Sequence, residues 1–281
     1  NLTKNYNNDL FNLIEGDIND KDICFSALEK IDFVLHHAAL GSVPRSISDP
    51  LSSNEANISG FLNMLIAARD SNIKNFIYAS SSSAYGDHEA LPKVEDVIGK
   101  PKNPYSITKY VNELYANTFS EHYSFKSIGL RYFNVFGPRQ RENGDYAAVI
   151  PKWIKNILNN QDIEIYGDGE TSRDFCYVDN AVQANIIAAL SENEIAKGQV
   201  YNISVGNQTS LNKLLSMIHK NIENSIGKII KIKPIYKDFR PGDIRHSRAD
   251  ISKAKNLLNY FPSHNVEQGI KETISWYIDK K

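Results

Sequence analysis

Three short apolar runs, each leaving through a polar exit into a helical pattern, constrain the fold of this chain more than any other feature. They are Asp32–Leu40, Phe76–Ser80 and Ser127–Phe133. Between them lie Asn54–Arg69, with Phe61, Leu62, Leu65 and Ala68 at helical spacing, and Tyr105–Glu121. Asp20–Glu29 is a further helical stretch, with Ile23, Ala27 and Leu28 for its inner face. Such alternation predicts an α/β fold built on a doubly wound parallel sheet of the Rossmann type. The unbroken apolar run Asp32–Leu40 predicts a strand buried on both faces. Phe11–Ile18 reads as another short strand ending in a turn, while Gly41–Ser46 and Asp87–Asn103 read as loops. Ligands of such sheets bind at the carboxyl ends of strands. Ala38–Ser42, Ser81–Ser83 and Asn134 all fall at strand exits, which converges them on one edge of the sheet.

Beyond Pro138 the alternation loosens. Helices are expected at Ala147–Leu158, Val178–Leu190, Leu211–Glu223 and Ile270–Ile278, and strands at Ile163–Tyr166 and Val200–Ser204. Gly167–Asp174 is a tight polar loop and Arg240–Arg248 a basic one. The expected organisation is a Rossmann domain of 1–138 and 174–206, with a smaller α/β substrate-binding lobe of 139–173 and 207–281 and a cleft between them.

Bulk properties exclude more than they identify. The net charge of −1 gives no general attraction for nucleic acid or an anionic membrane. Two cysteines, Cys24 and Cys176, make neither a disulfide framework nor a metal cluster, which fits a cytoplasmic setting. Adjacent His36 and His37 point to opposite faces of a strand, so they do not form a metal site.

Chemistry enters with Pro104-Tyr-Ser-Ile-Thr-Lys109. Tyr105 and Lys109 stand one turn apart on the same helical face, with Pro104 in the first turn and Asn103 as its cap. A phenol beside an ammonium favours phenolate, although ionising a tyrosine at neutral pH takes about 4 kcal/mol. A positively charged cofactor ring supplies part of that.

Tyr105-x-x-x-Lys109, the serine-rich strand exit before it and Arg131-Tyr-Phe-Asn-Val-Phe-Gly-Pro138 after it resemble the extended short-chain dehydrogenases that modify nucleotide sugars. Within that group the chain is most similar to bacterial UDP-N-acetylglucosamine 4-epimerases of polysaccharide assembly. The likeness runs through His36–Ser46, Gly167–Tyr177 and Arg240–Ser247. The family opens with a strand, a Gly-x-x-Gly-x-x-Gly turn and a helix that cradle the pyrophosphate of NAD. That Gly-rich βαβ unit has no counterpart here. The sequence reads as entering at the family's third strand, Asn12–Gly16, with its natural chain continuing upstream.

The resemblance implies NAD as cofactor and a UDP-sugar as substrate. Tyr105 would be the general base, Lys109 its electrostatic partner, and Ser83 the residue that holds the sugar 4-hydroxyl. Asp17, Ile18, Ala38, Ala39, Leu40, Ser81 and Tyr132, together with Tyr105 and Lys109, would contact NAD. Asn134, Arg173 and Arg240 would grip the diphosphate, and Asp243 would lie near the uridine ribose. Gly41, Ser42, Ser82, Ser83, Ala148, Val149 and Tyr166 complete the implied substrate site. Ser247 matches a position where a bulky residue crowds the hexose 2-substituent, and a small serine leaves room for N-acetyl. A homodimer through helices Asn54–Arg69 and Tyr105–Glu121 is also implied.

Other readings stand beside this one. A 4,6-dehydratase or decarboxylase of the same fold needs carboxylates where this chain has Ser82-Ser83-Ala84. A uronate or UDP-glucose 4-epimerase remains open. A non-catalytic NAD or nucleotide-sugar sensor would have no use for Ser83, Tyr105 and Lys109 together.

Overall fold

The computed structural model describes residues 8–142, 148–239 and 244–279. In chain order the first elements are α1 (Lys21–Ser26), β1 (Phe33–His36), α2 (Val43–Ser48), α3 (Pro50–Asn54), a π turn (Glu55–Ser59) and α4 (Gly60–Asp70). Next come β2 (Asn75–Ser81), a 3₁₀ turn (Ser82–Tyr85), α5 (Pro104–Tyr123), β3 (Ile128–Tyr132) and β4 (Val135–Phe136). The remainder is α6 (Val149–Leu158), β5 (Ile163–Tyr166), β6 (Ser172–Arg173), β7 (Cys176–Tyr177), α7 (Val178–Ala189), β8 (Val200–Ile203), β9 (Thr209–Ser210), α8 (Leu211–Ile226), β10 (Pro234–Lys237), α9 (Ser252–Leu258) and α10 (Val266–Asp279).

The main sheet is parallel with strand order β1-β2-β3-β8. Its central strand shows why alternate residues must all be apolar. Phe76 and Tyr78 face α1, α4 and α5, in a core with Phe61, Leu65 and Phe119. Ile77 faces the other way, toward Ala181, Ala184 and Ala188 of α7. Complete burial of a side chain such as Phe76 stabilises by roughly 1.5–3 kcal/mol. The alanines let α7 lie close to the sheet. Gly129 of β3 is required for a similar reason, because a Cβ there would stand 2.5 Å from the Tyr78 hydroxyl oxygen. A separate core joins α6, α8 and α10 to the parallel pair β5–β10 through Trp153, Ile154, Ile165, Leu214, Ile218 and Ile270.

Several expectations need correction. Phe11–Ile18 forms no strand and pairs with none of the strands among the described residues. β1 is an edge strand of only Phe33–His36, and Phe33 and Leu35 are exposed on one face while Val34 and His36 are buried on the other. Gly41–Ser46 is not all loop. The Ser42 side chain accepts from Arg45 N and caps α2, with proline in its first turn. The helix expected over Asn54–Arg69 starts earlier, at Pro50, and passes through the π turn. β10 and α9 escaped the sequence reading. β10 is a half-exposed edge strand, and α9 is only seven residues long.

Candidate active site

Because β1, β2 and β3 are parallel, their carboxyl ends lie on one side of the sheet, and Ser81 pairs in register with Tyr132. Ala38–Leu40, Ser81–Ser83 and Asn134 therefore leave the sheet at the same edge. Helix α5 delivers Tyr105 and Lys109 there. Asn103 and Ser106 form a reciprocal capping box, with Ser106 N donating to Asn103 Oδ1 at 2.9 Å and Asn103 N to Ser106 Oγ at 3.1 Å. Tyr105 N–H, another free donor of the first turn, donates to Ser46 Oγ of α2 at 3.1 Å.

Lys109 is buried and donates from Nζ to Ala79 O of β2 at 2.8 Å. Burial pulls its ammonium down to about 8, so its charge is poised close to neutral pH. Tyr105 is half-buried. Burial raises its phenol, and a hydrogen bond with the Ser81 side chain draws it back. The structure thus places Ser81, rather than Ser83, against the phenol. Ser83 donates its hydroxyl to Ser81 Oγ at 2.9 Å, and its N–H reaches the same oxygen at 3.1 Å. Ser82 begins the 3₁₀ turn and is half-buried. The spacing in a serine run cannot say which hydroxyl faces the helix, because the 3₁₀ turn that starts after Ser81 resets the alternation.

A cavity of about 470 Å³ adjoins this edge, lined by Gly16, Asp17, Ile18, Asn19, Ala38, Ala39, Leu40, Ser52, Glu55 and Ala56. Its volume is that of a small-molecule site. It gathers all five of the expected cofactor residues that precede the serine run. Small Ala38 and Ala39 leave the backbone accessible, and Asp17 and Glu55 supply carboxylates suited to ribose hydroxyls. The donor set fits the adenosine part of a dinucleotide. Asn57 in the π turn was missed. It is buried and bonds Leu40 and Thr108, and an asparagine set in an otherwise apolar helical pattern was the available signal.

Tyr132 stands in register with Ser81, outside the lining of that cavity. Its hydroxyl accepts from Asn185 Nδ2 of α7 at 2.6 Å and lies 3.2 Å from His37 Nε2. His36 turns to the opposite face, packed on Phe61 and Phe76 with ring centroids at 5.5 and 5.8 Å. Burial, with Lys109 nearby, pushes His36 down to about 3, so it is a neutral core residue. Cys176 is fully buried and burial lifts its thiol to about 12, which makes it inert.

The other implied substrate residues come from the second core. Arg173 of β6 donates from Nη1 to the carbonyls of Ser172 and Arg245, and Ser247 N donates to Ser172 O at 3.1 Å. Arg173 and Ser247 are therefore neighbours. Their strand is anchored by buried Asp174, which accepts from Ser204 Oγ and from the N–H groups of Val205 and Ala249. Burial raises the Asp174 carboxyl to about 6 despite those bonds. Asn134 is exposed beyond β3, Ala148 and Val149 open α6, and Tyr166 ends β5. Gly41 has open space around it, and Ser42 is occupied as the α2 cap. Arg240 and Asp243 lie outside the described residues.

Comparisons with known proteins point to one family. The family model described as NAD dependent epimerase/dehydratase family matches residues 1–204. A UDP-N-acetylglucosamine 4-epimerase from Methanobrevibacter ruminantium, solved with UDP-N-acetylmuramic acid, is similar with a TM-score of 0.90 and 41% identity, covering 98% of this chain and 85% of that one. A UDP-glucuronic acid 4-epimerase from Bacillus cereus, solved with UDP-glucuronic acid and NAD, gives 0.87 and 29%, covering 100% and 85%. The UDP-glucose 4-epimerase of Mycolicibacterium smegmatis is 31% identical over 100% of this chain and 87% of its own length. With its serine, tyrosine and lysine gathered at the sheet edge and a nucleotide-sized cavity beside them, the chain belongs to the NAD-dependent epimerase/dehydratase family.

Proposed function

We propose that this chain, an NAD-dependent nucleotide-sugar 4-epimerase, interconverts UDP-N-acetylglucosamine and UDP-N-acetylgalactosamine for surface polysaccharide assembly. The observation that carries the reaction is the convergence of Tyr105, Ser81 and Lys109 at one strand exit. Tyr105 takes the proton of the sugar 4-hydroxyl as general base and returns it as general acid. Ser81 holds that hydroxyl and the phenol together, and Ser83 orients Ser81, so the role expected of Ser83 passes to its neighbour. Below about pH 8 Lys109 carries the charge that favours phenolate. NAD would be held by Asp17, Ile18, Ala38, Ala39 and Leu40 with Lys109, and would supply the acceptor for the C4 hydride. The absence of a carboxylate at Ser82-Ser83-Ala84 leaves elimination and decarboxylation without a base.

Arg173 and Asn134, with Arg240 and Asp243, are assigned to the UDP moiety, since a guanidinium bonds phosphate oxygens in pairs. In the same reading 1–138 with 174–206 binds NAD and 139–173 with 207–281 binds the UDP-sugar, with α9 of the second portion packed on the core of the main sheet through Ala254 and Leu258. A homodimer through α4 and α5 is supported by Ile107 and Leu114, apolar and about half exposed on one face of α5. The N-acetyl preference rests on Ser247 and on the relative that is 41% identical. Parallel assays on UDP-N-acetylglucosamine, UDP-glucose and UDP-N-acetylglucosaminuronate test it. Ser247→Tyr is expected to lose the N-acetylated sugars selectively, and full activity on them would refute the assignment.

A further inference from the structure

Resting on the epimerase reading above, we propose that Glu113 and Arg131 are positioning residues for the reaction, a buried pair that sets how α5 sits on β2 and β3 and so where Tyr105 and Lys109 stand. Tyr105, Lys109 and Glu113 follow at four-residue spacing, which puts all three on one face of α5. Glu113 is fixed from two strands. Arg131 of β3 donates from Nε to Oε1 at 2.8 Å and from Nη2 to Oε2 at 2.6 Å. Ser80 of β2, the residue before Ser81, donates its hydroxyl to Oε1. The two charged side chains are only 4% and 6% exposed.

Arg131 is itself held. Its Nη1 donates to Glu95 O at 2.9 Å, and its guanidinium lies 4.8 Å from the centre of the Tyr85 ring. The Tyr85 hydroxyl donates to Asn202 Oδ1, and Asn202 Nδ2 donates to the carbonyls of Lys93 and Asp250. The network therefore runs from the helix of Tyr105 to the segment that carries Ser247. A buried ion pair gives no stability that apolar residues of equal volume would not give. What the bidentate fork supplies is direction. Lys109 reads the same helix position through Ala79 O, so a turn of α5 that displaces Glu113 also withdraws Lys109.

The test compares Glu113→Gln, Glu113→Asp and Ser80→Ala with wild type in two ways. The first is kcat and KM on whichever UDP-sugar the wild type turns over. The second is protonation of Lys109, followed by trace acetylation across pH with mass spectrometry, which needs no turnover. The titratable groups near Lys109 are Tyr105 on its own helix and, at the end of β1, His36 and the following His37, both held below their ordinary value chiefly by burial. Glu113→Gln is expected to lower kcat at least ~tenfold with KM little changed, since small displacements at a reacting centre cost rate rather than binding. Its Lys109 should titrate above the wild-type value of about 8 as water enters, and Glu113→Asp should recover most of both. A folded Glu113→Gln with wild-type kcat and unchanged Lys109 titration, losing only thermal stability, overturns the proposal. If that variant does not fold, Ser80→Ala, which removes one of the three bonds that aim the Glu113 carboxylate, is expected to lower kcat and raise the Lys109 titration to a smaller degree, and a folded Ser80→Ala that changes neither overturns the proposal. A wild type inactive on every sugar would refute the epimerase reading, while the Lys109 titration still decides positioning.

Discussion

Asn57 holds both backbone groups of Leu40. The Leu40 N–H donates to Asn57 Oδ1 at 2.7 Å, and Asn57 Nδ2 donates to Leu40 O at 3.2 Å. The same Nδ2 reaches Thr108 Oγ1 of α5 at 3.1 Å, next to Lys109. One side chain thus joins the wall of the nucleotide-sized cavity to the helix of the reacting groups. Its place in the π turn explains the reach, because the extra residue per turn swings the side chain toward the strand exit.

Replacing Asn57 by Ala removes the side-chain partner of two half-buried backbone groups of Leu40, which costs about 1 kcal/mol of stability. It also frees Leu40. The Kd for NAD, read by calorimetry, is expected to rise at least ~tenfold, equivalent to 1.4 kcal/mol. An unchanged Kd would show that the loop holds its shape without the clamp.

The two serines separate by position. Ser81→Ala removes the hydroxyl at the phenol, and kcat is expected to fall ~100-fold, whereas Ser83→Ala removes only its support and should cost less than ~tenfold. Steady-state kinetics check both. A larger loss for Ser83→Ala would return the hydroxyl-positioning role to Ser83.

His36 makes acid stability testable. Its folded value of about 3 lies below the ordinary histidine value of 6.5, so the unfolded chain takes up a proton that the native core excludes. Stability is therefore lost as pH falls from about 6.5 toward 3, by up to about 1.4 kcal/mol per pH unit. In His36→Phe that component should vanish. Urea midpoints at pH 7 and pH 5 that shift equally in both proteins would contradict the assignment.

Much of this was legible in the chain because local and tertiary demands agree. The runs through Phe76 and Ile128 are apolar on both faces and became central strands, and Asn103-Pro104 announced α5 and its cap. Phe11–Ile18 has strand composition but pairs with no strand among the described residues, so pattern alone misled. Short α2 depended on the Ser42 cap rather than on periodicity. The meeting of Ala38–Leu40 and the serine run at one edge followed from the strand order, whereas Asp17 and Ile18 reach the cavity from a segment that belongs to no strand. The choice between Ser81 and Ser83 did not, since it depends on where a 3₁₀ turn begins. Arg131 and Glu113 lie far apart in sequence, and only the β3–α5 packing shows them as a pair.

The most direct test follows UDP-N-acetylglucosamine by proton NMR in deuterium oxide, with NAD supplied, for wild type and Tyr105→Phe. The account predicts UDP-N-acetylgalactosamine that retains its hydrogen at C4, because the hydride leaves and returns without meeting solvent, and no product from Tyr105→Phe. Deuterium at the inverted carbon, or unimpaired turnover without the Tyr105 hydroxyl, would contradict it.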